Sequence, residues 1–327
     1  MESSPGSARI DAAALPQVEQ LERLLRERPE VSAGGLWGSA QALVLAELVR
    51  RSKQPWVAIA SGEAEAEALR DDLEFFGLQA ALFPAREGGK GRLDGGDLGA
   101  IRQRIELAQR LSGPAEARPR VIVASLLALL QPLPKPGDLA AATLQLALGQ
   151  KLSTEQFLKQ LVDAGYERVP LVERAGEVSL RGDILDVFPF ASELPLRIEL
   201  FDDAVESLRT FDPLEQKSVQ KLEKVAVCIA RDAGGVEDGS GIAPALLFPP
   251  QAVIAELEPL RIEDRANGLS IQSASHQREL GVLWQARDAR RRLRLQSLPA
   301  KDVHFDTRSV QALSGGIRQA PELLREA

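Results

Sequence analysis

A glycine-rich stretch that leads straight into an apolar helical pattern has the spacing of a phosphate-binding loop. Such loops follow the pattern G-x-x-x-x-G-K-[ST], in which the lysine reaches the β- and γ-phosphates and the hydroxyl holds magnesium. Here Gly35 keeps the first position, but Ala40, Gln41 and Ala42 replace the second glycine, the lysine and the hydroxyl residue. The pattern predicts a degenerate P-loop without nucleotide turnover. Its members are Gly35, Gly38, Ser39, Ala40, Gln41 and Ala42.

Two other interpretations of this stretch stay open. It is also typical of an ordinary glycine-rich turn before a helix, and the helix N-terminus could still hold an anion weakly. Glu256 and Glu258 end a later apolar stretch, and strand alternation would point both side chains the same way. Because Gln41 and Ala42 cannot act as their lysine and hydroxyl partners, we interpret these two carboxylates as solvated.

A second group of carboxylates raises the question of metal or acid–base chemistry. Their spacing follows strand alternation and a turn, and no histidine lies near them in sequence. An oxygen-ligand cage needs converging ligands, which this spacing does not specify. We therefore predict neither a metal site nor a catalytic residue in this group. Its members are Asp183, Asp186, Glu199, Asp202, Asp203 and Glu206.

The composition argues against several other kinds of site. Cys228 is the single cysteine, so the sequence offers neither a disulfide framework nor a cysteine-based zinc site. With only two histidines, His276 and His304, a histidine-based metal site or catalytic triad is nearly excluded, and no cofactor is predicted. No apolar run reaches the roughly 18 residues of a membrane span. The polar N-terminus lacks the apolar core of a signal peptide, which predicts a cytoplasmic protein.

One basic run is the candidate for nucleic-acid contact. Residues 290–294 contain four arginines and are predicted to lie on a helix that Ser273 or Ser275 caps and that runs through Trp284 to about Leu295. A solvated helix face is the favoured interpretation, and weak nucleic-acid contact is the alternative. The net charge of −7 and an aromatic content of 4% argue against an extended nucleic-acid surface.

The elements that must position these residues suggest more than one domain. Strand and helix patterns alternate through the first part of the chain, which predicts a parallel sheet with helices on both faces. A proline-rich segment, residues 132–137, then marks a boundary. Beyond it, apolar positions alternate over residues 194–201, Asp202 and Asp203 suit a turn, and residues 205–211 form the return strand of a small antiparallel sheet.

The outward face of the predicted 194–201 strand shows Arg197, Glu199 and Phe201. An exposed phenylalanine between charged residues has two interpretations. Single exposed apolar residues are common and need no function. Alternatively, this face binds a protein, because aromatic and arginine anchors contribute most of the binding energy at interfaces.

Three segments around this sheet carry a resemblance: RGDILDVFP, RIELFDD and ESLRTFDPLEQKS. They resemble the middle domain shared by UvrB and the transcription-repair coupling factors. Gln216, Ser218 and the preceding GYERV favour the coupling factors. The resemblance covers nearly the whole chain and matches the N-terminal portion of a protein that, in the family, continues into a polymerase-binding domain and a DNA translocase.

The resemblance implies an α/β fold with a degenerate RecA-like parallel sheet. Residues 1–138 and 231–327 would form its two halves, like UvrB domains 1a and 1b. Residues 139–230 would be an inserted α+β domain with an antiparallel sheet, like UvrB domain 2. UvrB grips damaged DNA with a tyrosine-rich hairpin, but the corresponding loop here, residues 88–99, has no aromatic residue. This difference speaks against lesion verification.

The resemblance also implies a function, which is recruitment of UvrA to bring nucleotide-excision repair to stalled RNA polymerase. Its UvrA-binding residues would be Arg168, Arg181, Arg197 and Phe201, with Ser179 standing where UvrB has another arginine. In the full-length family protein RNA polymerase and DNA are further partners. Two alternatives remain: a fragment of a UvrB-type ATP-dependent repair helicase, and a DNA-binding module that uses the basic run. A purely structural role is also open, in which Arg181 and Arg197 pair with Glu199 and Glu206 of the same sheet.

Overall fold

The computed structural model describes residues 15–86, 98–230 and 241–308 of the 327-residue chain. The predicted loop at 88–99 lies outside these residues except for its last two, which begin a helix. The chain divides into two compact units. The first consists of residues 1–82, 119–127 and 248–327, and the second of residues 83–118 and 128–247. The three-part division at residues 138 and 230 stays a prediction.

The first unit is built on a seven-stranded sheet with the strand order β17-β1-β16-β15-β2-β4-β3. Its pairs β17/β1, β1/β16, β16/β15, β15/β2 and β2/β4 are parallel. Strands from the first and last parts of the chain are combined in it, and β1 lies between β16 and β17. The bounds are β1 Glu30–Gly34, β2 Trp56–Ala60, β3 Ala81–Phe83, β4 Val121–Ser125, β15 Val253–Leu257, β16 Arg291–Leu295 and β17 Val303–His304.

The central strands of this sheet are apolar and buried, as expected when helices cover both faces. Every residue of β2 and of β4 is buried. The helices contribute apolar stripes to the same core; α1, for example, buries Val18, Leu21, Leu24 and Leu25. The helix bounds are α1 Pro16–Glu27, α2 Ala40–Arg51, α3 Glu63–Phe75, α5 Leu126–Leu130, α8 Pro259–Gln272 and α9 Ala274–Asp288. Within the described residues, no helix is long and apolar enough to cross a membrane.

The second unit contains a six-stranded sheet with the order β12-β11-β10-β9-β8-β7, in which only the short edge pair β7/β8 is parallel. Two smaller antiparallel pairs are β6/β13 and β5/β14. The sheet strands are β7 Glu167–Arg168, β8 Glu177–Arg181, β9 Ile184–Val187, β10 Leu196–Phe201, β11 Ala204–Phe211 and β12 Ser218–Leu222. The smaller pairs are β5 Leu133–Pro134, β14 Gly241–Ile242, β6 Thr143–Ala147 and β13 Lys224–Cys228, and the helices are α4 Leu98–Ser112, α6 Pro136–Ala141 and α7 Thr154–Asp163.

The predicted fold class is confirmed: a parallel sheet built from both flanks accompanies a separate antiparallel sheet. The predicted basic helix at residues 290–294 is wrong. Helix α9, which Ser273 caps, ends at Asp288, and Arg291–Leu295 form β16 inside the parallel sheet. The reason is a period of two: Leu293 and Leu295 are fully buried, and they alternate with Arg292 and Arg294.

The arginines of this run are engaged within the first unit. Arg290 donates to the carbonyl oxygens of Phe248 and Pro249 at 2.7 and 3.1 Å, and its burial lowers its pKa. Arg292 forms ion pairs with Glu30 and Asp288, and Arg294 with Glu263. These contacts remove the continuous basic helix face on which the DNA-binding alternative depended.

Candidate functional site

The loop between β1 and α2 is shaped by its own neighbours. Gly35 and Gly38 have left-handed backbone angles, with φ of +75° and +56°. A Cβ atom on Gly35 would lie 1.9 Å from the Phe305 carbonyl oxygen, whereas one on Gly38 would meet open space. Position 35 therefore accepts only glycine, because the backbone at Phe305 leaves no room for a Cβ atom. Ser39 is the N-cap of α2 but makes no side-chain cap hydrogen bond.

Three backbone N–H groups of this loop have acceptors within the chain. Gly35 donates to the Leu298 carbonyl at 3.2 Å, and Leu36 to the Gln296 carbonyl at 3.1 Å. Trp37 donates to Oγ1 of Thr307 at 2.9 Å. A phosphate-binding loop uses such N–H groups to surround the ligand. Here residues 296–307 already accept hydrogen bonds from the three N–H groups at the start of the loop.

The residues at the lysine and hydroxyl positions are buried in the same unit. Gln41 is only 8% exposed, and its Nε2 donates to Oε1 of Glu258 at 2.6 Å. The same oxygen accepts the Ser297 N–H at 2.8 Å. Ala42 is 1% exposed and belongs to the hydrophobic core. The Glu258 carboxylate thus accepts hydrogen bonds from two uncharged donors, the Gln41 amide and the Ser297 N–H.

The interpretation of Glu256 and Glu258 as solvated is wrong. Glu256 is 3% exposed, and its Oε1 accepts a hydrogen bond from Nη1 of Arg287 at 3.1 Å. Arg287 in turn stacks on Trp284 with its guanidinium carbon 4.4 Å from the ring centroid. Burial lowers the pKa of Arg287, but Asp288 and Glu256 outweigh this effect and raise it. The pairing compensates a charge that would otherwise be costly to bury.

The second candidate is the polar face of the six-stranded sheet. The strand register places Ser179, Asp186, Arg197, Arg209 and Lys221 in one row across five strands. The opposite face carries the buried apolar residues. Residues that face each other across strands share one side of a sheet, so this row forms a continuous polar strip.

The buried carboxylate of Asp186 organises this strip. Its side chain is 1% exposed and accepts two hydrogen bonds from Arg197, at 2.7 and 2.8 Å. Nη2 of Arg181 donates to the same carboxylate at 2.9 Å. One aspartate therefore orients two of the predicted binding arginines. The paired fork geometry is the strong form of an arginine–carboxylate contact.

Arg197 is fixed from several directions. Its guanidinium carbon lies 4.3 Å from the centroid of Phe211, and Nη2 also donates to Oε1 of Gln216 at 2.9 Å. The hydrogen bond to Asp186 is the main cause of its raised pKa. Its side chain is only 12% exposed, compared with 47% for Arg181. Arg181 is thus the more accessible of the two.

The predicted binding residues lie at three places on the second unit. Arg181 and Arg197 both pair with Asp186. The alternative in which they pair with glutamates of the sheet is therefore wrong, and Glu199 pairs with Arg209 instead. Phe201 ends β10 and is 70% exposed, on the same face as Arg197. Arg168 is exposed on the edge strand β7.

Sequence reasoning missed Asp186 and Gln216 as positioning residues. Asp186 lies between Leu185 and Val187 in a strand, so its alternation with apolar residues places it on the polar face. That signal was present but was assigned to no role. Gln216 has a left-handed φ of +57°, and its Nε2 donates to the Val172 carbonyl at 3.1 Å. No sequence pattern foretells that contact. Across the described residues, no three or more His, Cys, Asp or Glu side chains form a group that could hold a metal ion.

Comparison with known proteins finds a similarity in the region of the six-stranded sheet. A family model described as the UvrB interaction domain matches residues 144–232. The transcription-repair-coupling factor of Myxococcus xanthus is 35% identical over 220 residues, which is 64% of this chain and 18% of that protein. That of Bacillus subtilis (strain 168) is 30% identical over 200 residues, 61% of this chain and 17% of that protein. In Staphylococcus aureus (strain Mu50 / ATCC 700699), the identity is 45% over 87 residues, 27% of this chain and 7% of that protein.

The aligned part of the chain thus spans less than a fifth of each of these relatives. The family match falls on the region that contains all six strands of the antiparallel sheet. The predicted recognition is therefore confirmed as a similarity: residues 144–232 match the UvrB interaction domain model, and about three fifths of the chain is similar to part of the transcription-repair-coupling factors.

Proposed function

We propose that this chain is a non-catalytic recruitment module that binds UvrA through the polar face of its six-stranded sheet. In a longer, cytoplasmic protein it would bring nucleotide-excision repair to stalled RNA polymerase. The family match and the names of the relatives support this proposal. The observation that carries it is an exposed aromatic residue, Phe201, on the same face as two arginines that a buried aspartate orients.

The binding surface would centre on Phe201 and Arg181. The register places Arg181 beside Ile184 and Ile184 beside Glu199, two residues before Phe201. With about 4.8 Å between strands and about 3.3 Å per residue, the two side chains originate roughly 12 Å apart. That distance fits within a single interface, which typically includes 20–30 residues on each side. Arg168 would lie towards its rim.

The three binding-site arginines would act in different ways. Arg181 is half exposed and could exchange part of its contact with Asp186 for a carboxylate of UvrA. Arg197 is largely enclosed by Asp186, Phe211 and Gln216, so it would mainly position the strip. Arg168 is exposed and would contribute at the rim, where charges affect association rate more than affinity.

The loop between β1 and α2 supports the non-catalytic part of the proposal. We interpret it as a degenerate P-loop in which Gln41 and Ala42 supply neither charge nor hydroxyl. Contacts with DNA and RNA polymerase would be made by other parts of a longer protein. The borders at residues 138 and 230 belong to the same proposal.

The decisive experiment is co-purification of the full 327-residue chain with UvrA from the same organism. We expect retention of UvrA by the wild-type chain and its loss in an Arg181→Ala/Phe201→Ala variant. Arg174→Ala/Leu214→Ala is the matched control, because both residues are exposed in the same unit but lie outside the six strands that form the proposed binding face. Equal retention by both folded variants would place the binding face elsewhere.

A further inference from the structure

A separate pocket opens at the amino-terminal ends of three adjacent strands of the first unit. It has a volume of about 240 Å³. Trp56, Val253 and Arg291 begin β2, β15 and β16, lie in register with one another and line this pocket. The remaining lining comes from α1, the end of α2 and residues 52–54. The loop between β1 and α2 follows the carboxyl end of β1, whereas the pocket lies at the amino-terminal ends of the strands, on the opposite side of the parallel sheet.

The lining of the pocket is strongly basic. It includes four cationic side chains and one carboxylate, which gives a net charge of +3. The carboxylate is Glu22, which pairs with Arg26 and Arg51. Arg51 is also bonded to Glu47. The other two cations, Lys53 and Arg291, are exposed. The whole chain has a net charge of −7, so this concentration of positive charge is local.

The carbonyl groups at the end of α2 would normally oppose an anion here. In this structure they already have donors. The Ser52 N–H bonds the carbonyl oxygens of Leu48 and Val49 at 3.0 and 3.2 Å. Nη2 of Arg120 donates to the carbonyl oxygens of Val49 and Ser52 at 2.7 and 2.6 Å. The carbonyl groups of Leu48 and Val49 are thus engaged, and the Arg120 guanidinium adds positive charge at this end of the helix.

Trp56 lies in the wall of the pocket. The residue is 2% exposed, and within the described residues its Nε1 is buried without a hydrogen-bond partner. A buried donor without an acceptor costs about 1–3 kcal/mol, so such groups are rare and usually have a reason. The exposed area of this nitrogen is below 1 Å², so a ligand in the pocket would not reach it, and Trp56 serves here as an indole whose emission reports on the pocket that it lines.

We infer that this pocket binds a phosphate-bearing anion. Lys53 and Arg291 carry two positive charges that have no ion-pair partner among the described residues, and two such charges match a dianion better than a single carboxylate. Guanidinium groups also bind phosphate oxygens in paired hydrogen bonds. The volume accommodates one or two phosphate groups. A free anion and the backbone of a nucleic acid present the same chemistry at this pocket. The site is independent of the proposed UvrA-binding face, because all its residues belong to the first unit.

The test uses the fluorescence of Trp56 in the full chain. Trp37→Phe and Trp284→Phe leave Trp56 as the only tryptophan, since the chain has three. Pyrophosphate is titrated at constant ionic strength without magnesium. We expect a saturable change in indole emission, and we expect Lys53→Glu to weaken binding about tenfold, as for the loss of one charge-assisted contact. Lys159→Glu makes the same charge change at an exposed site in the second unit and should have no effect.

A second arm identifies the source of the phosphate. The same protein is titrated with short single-stranded and double-stranded oligonucleotides. If the emission change saturates with pyrophosphate but not with an oligonucleotide, the ligand is a free anion. If it saturates with an oligonucleotide but not with pyrophosphate, and depends on Lys53, the ligand is a nucleic-acid backbone. An emission change that neither ligand saturates, or equal affinities in Lys53→Glu and Lys159→Glu, would overturn the inference. Melting curves of both variants confirm that each is folded.

Discussion

The polar groups of the loop between β1 and α2 are bonded within the chain, whereas part of the polar strip of the six-stranded sheet stays exposed. In the loop, Gln41 and the strand-end Glu258 bond each other, and residues 296–307 occupy backbone donors. In the strip, Asp186 is fully enclosed, but one of its two arginines remains half exposed and Phe201 projects beside them. The first arrangement closes a site by internal contacts, whereas the second uses internal contacts to orient groups that remain accessible.

The largest expected effect tests whether Asp186 organises the strip. Asp186→Asn keeps the size of the side chain but removes the charge that compensates the enclosed Arg197. Breaking a buried ion pair typically costs about 3–5 kcal/mol. We expect the free energy of unfolding of the second unit to fall by about 3 kcal/mol, measured by urea denaturation with circular dichroism.

Glu206→Gln is the control for this substitution. Glu206 is an exposed carboxylate on β11 of the same sheet, so its neutralisation should change stability by less than about 0.5 kcal/mol. If both variants lose the same small amount, Asp186 does not hold the arginines as the geometry indicates. The contrast between an organised strip and a closed loop would then fail.

The next effect concerns the accessible part of the strip. Phe201→Ala removes a ring that is 70% exposed, so the folded unit should lose little stability. As a central anchor of an interface, the same ring would contribute about 2 kcal/mol to UvrA binding, or roughly thirtyfold in affinity. Leu214→Ala is the control, because Leu214 is 88% exposed in the same unit. Calorimetric titration with UvrA should separate the two variants, and identical affinities would contradict the anchor role.

The sequence was sufficient for the architecture and for the outward orientation of Phe201. Alternation over β10 correctly placed Phe201 outward, and repeated strand and helix patterns predicted the parallel sheet. It was insufficient for the basic run at residues 290–294. Four arginines in five positions suggested a solvated helix, but period-two burial of Leu293 and Leu295 outweighed helix propensity.

The contacts of the loop between β1 and α2 were also beyond sequence reasoning, because they join residues that are distant along the chain. Gln41 and Glu258 are 217 positions apart, and Trp37 and Thr307 are 270 apart. Local patterns identify residue types and faces, but they do not show which distant side chain supplies a partner. For the same reason, Glu256 was interpreted as solvated although it is buried against Arg287.

A smaller effect should depend on pH and tests the segment that covers the loop. Asp302 accepts hydrogen bonds from the N–H and hydroxyl of Ser32, at 2.8 and 2.9 Å, and pairs with Arg28. Burial alone would raise the pKa of Asp302, but these contacts outweigh it and lower the pKa. The unfolded chain therefore binds this proton more readily. The stabilisation is complete above the ordinary aspartate pKa of about 4 and is lost as pH falls through the lowered folded value.

Asp302→Asn should remove that part of the acid dependence, as measured by melting temperature across pH 2–6. Asp306→Asn is the matched control, since Asp306 is exposed in the same segment. Parallel acid profiles for both variants would indicate that Asp302 does not fix residues 296–307 beside the loop.

The smallest expected effect is no effect at all, and it concerns Mg-ATP. We expect neither hydrolysis nor a magnesium-dependent rise in melting temperature, because a ligand stabilises a protein only when it binds the folded state. The difference between samples with and without magnesium separates nucleotide binding at the loop from simple anion binding elsewhere. The sharper test introduces the glycine, lysine and hydroxyl of the P-loop pattern in an Ala40→Gly/Gln41→Lys/Ala42→Ser variant.

This triple variant should still fail to bind Mg-ATP. A lysine at position 41 would face the Glu258 carboxylate that Gln41 now contacts at 2.6 Å, and would form an ion pair there. The N–H groups of Gly35, Leu36 and Trp37 would remain bonded to residues 296–307. A magnesium-dependent rise in the triple variant alone would mean that only these three residues had been lost. Its absence would mean that the chain itself fills the site, so that three substitutions cannot reopen it.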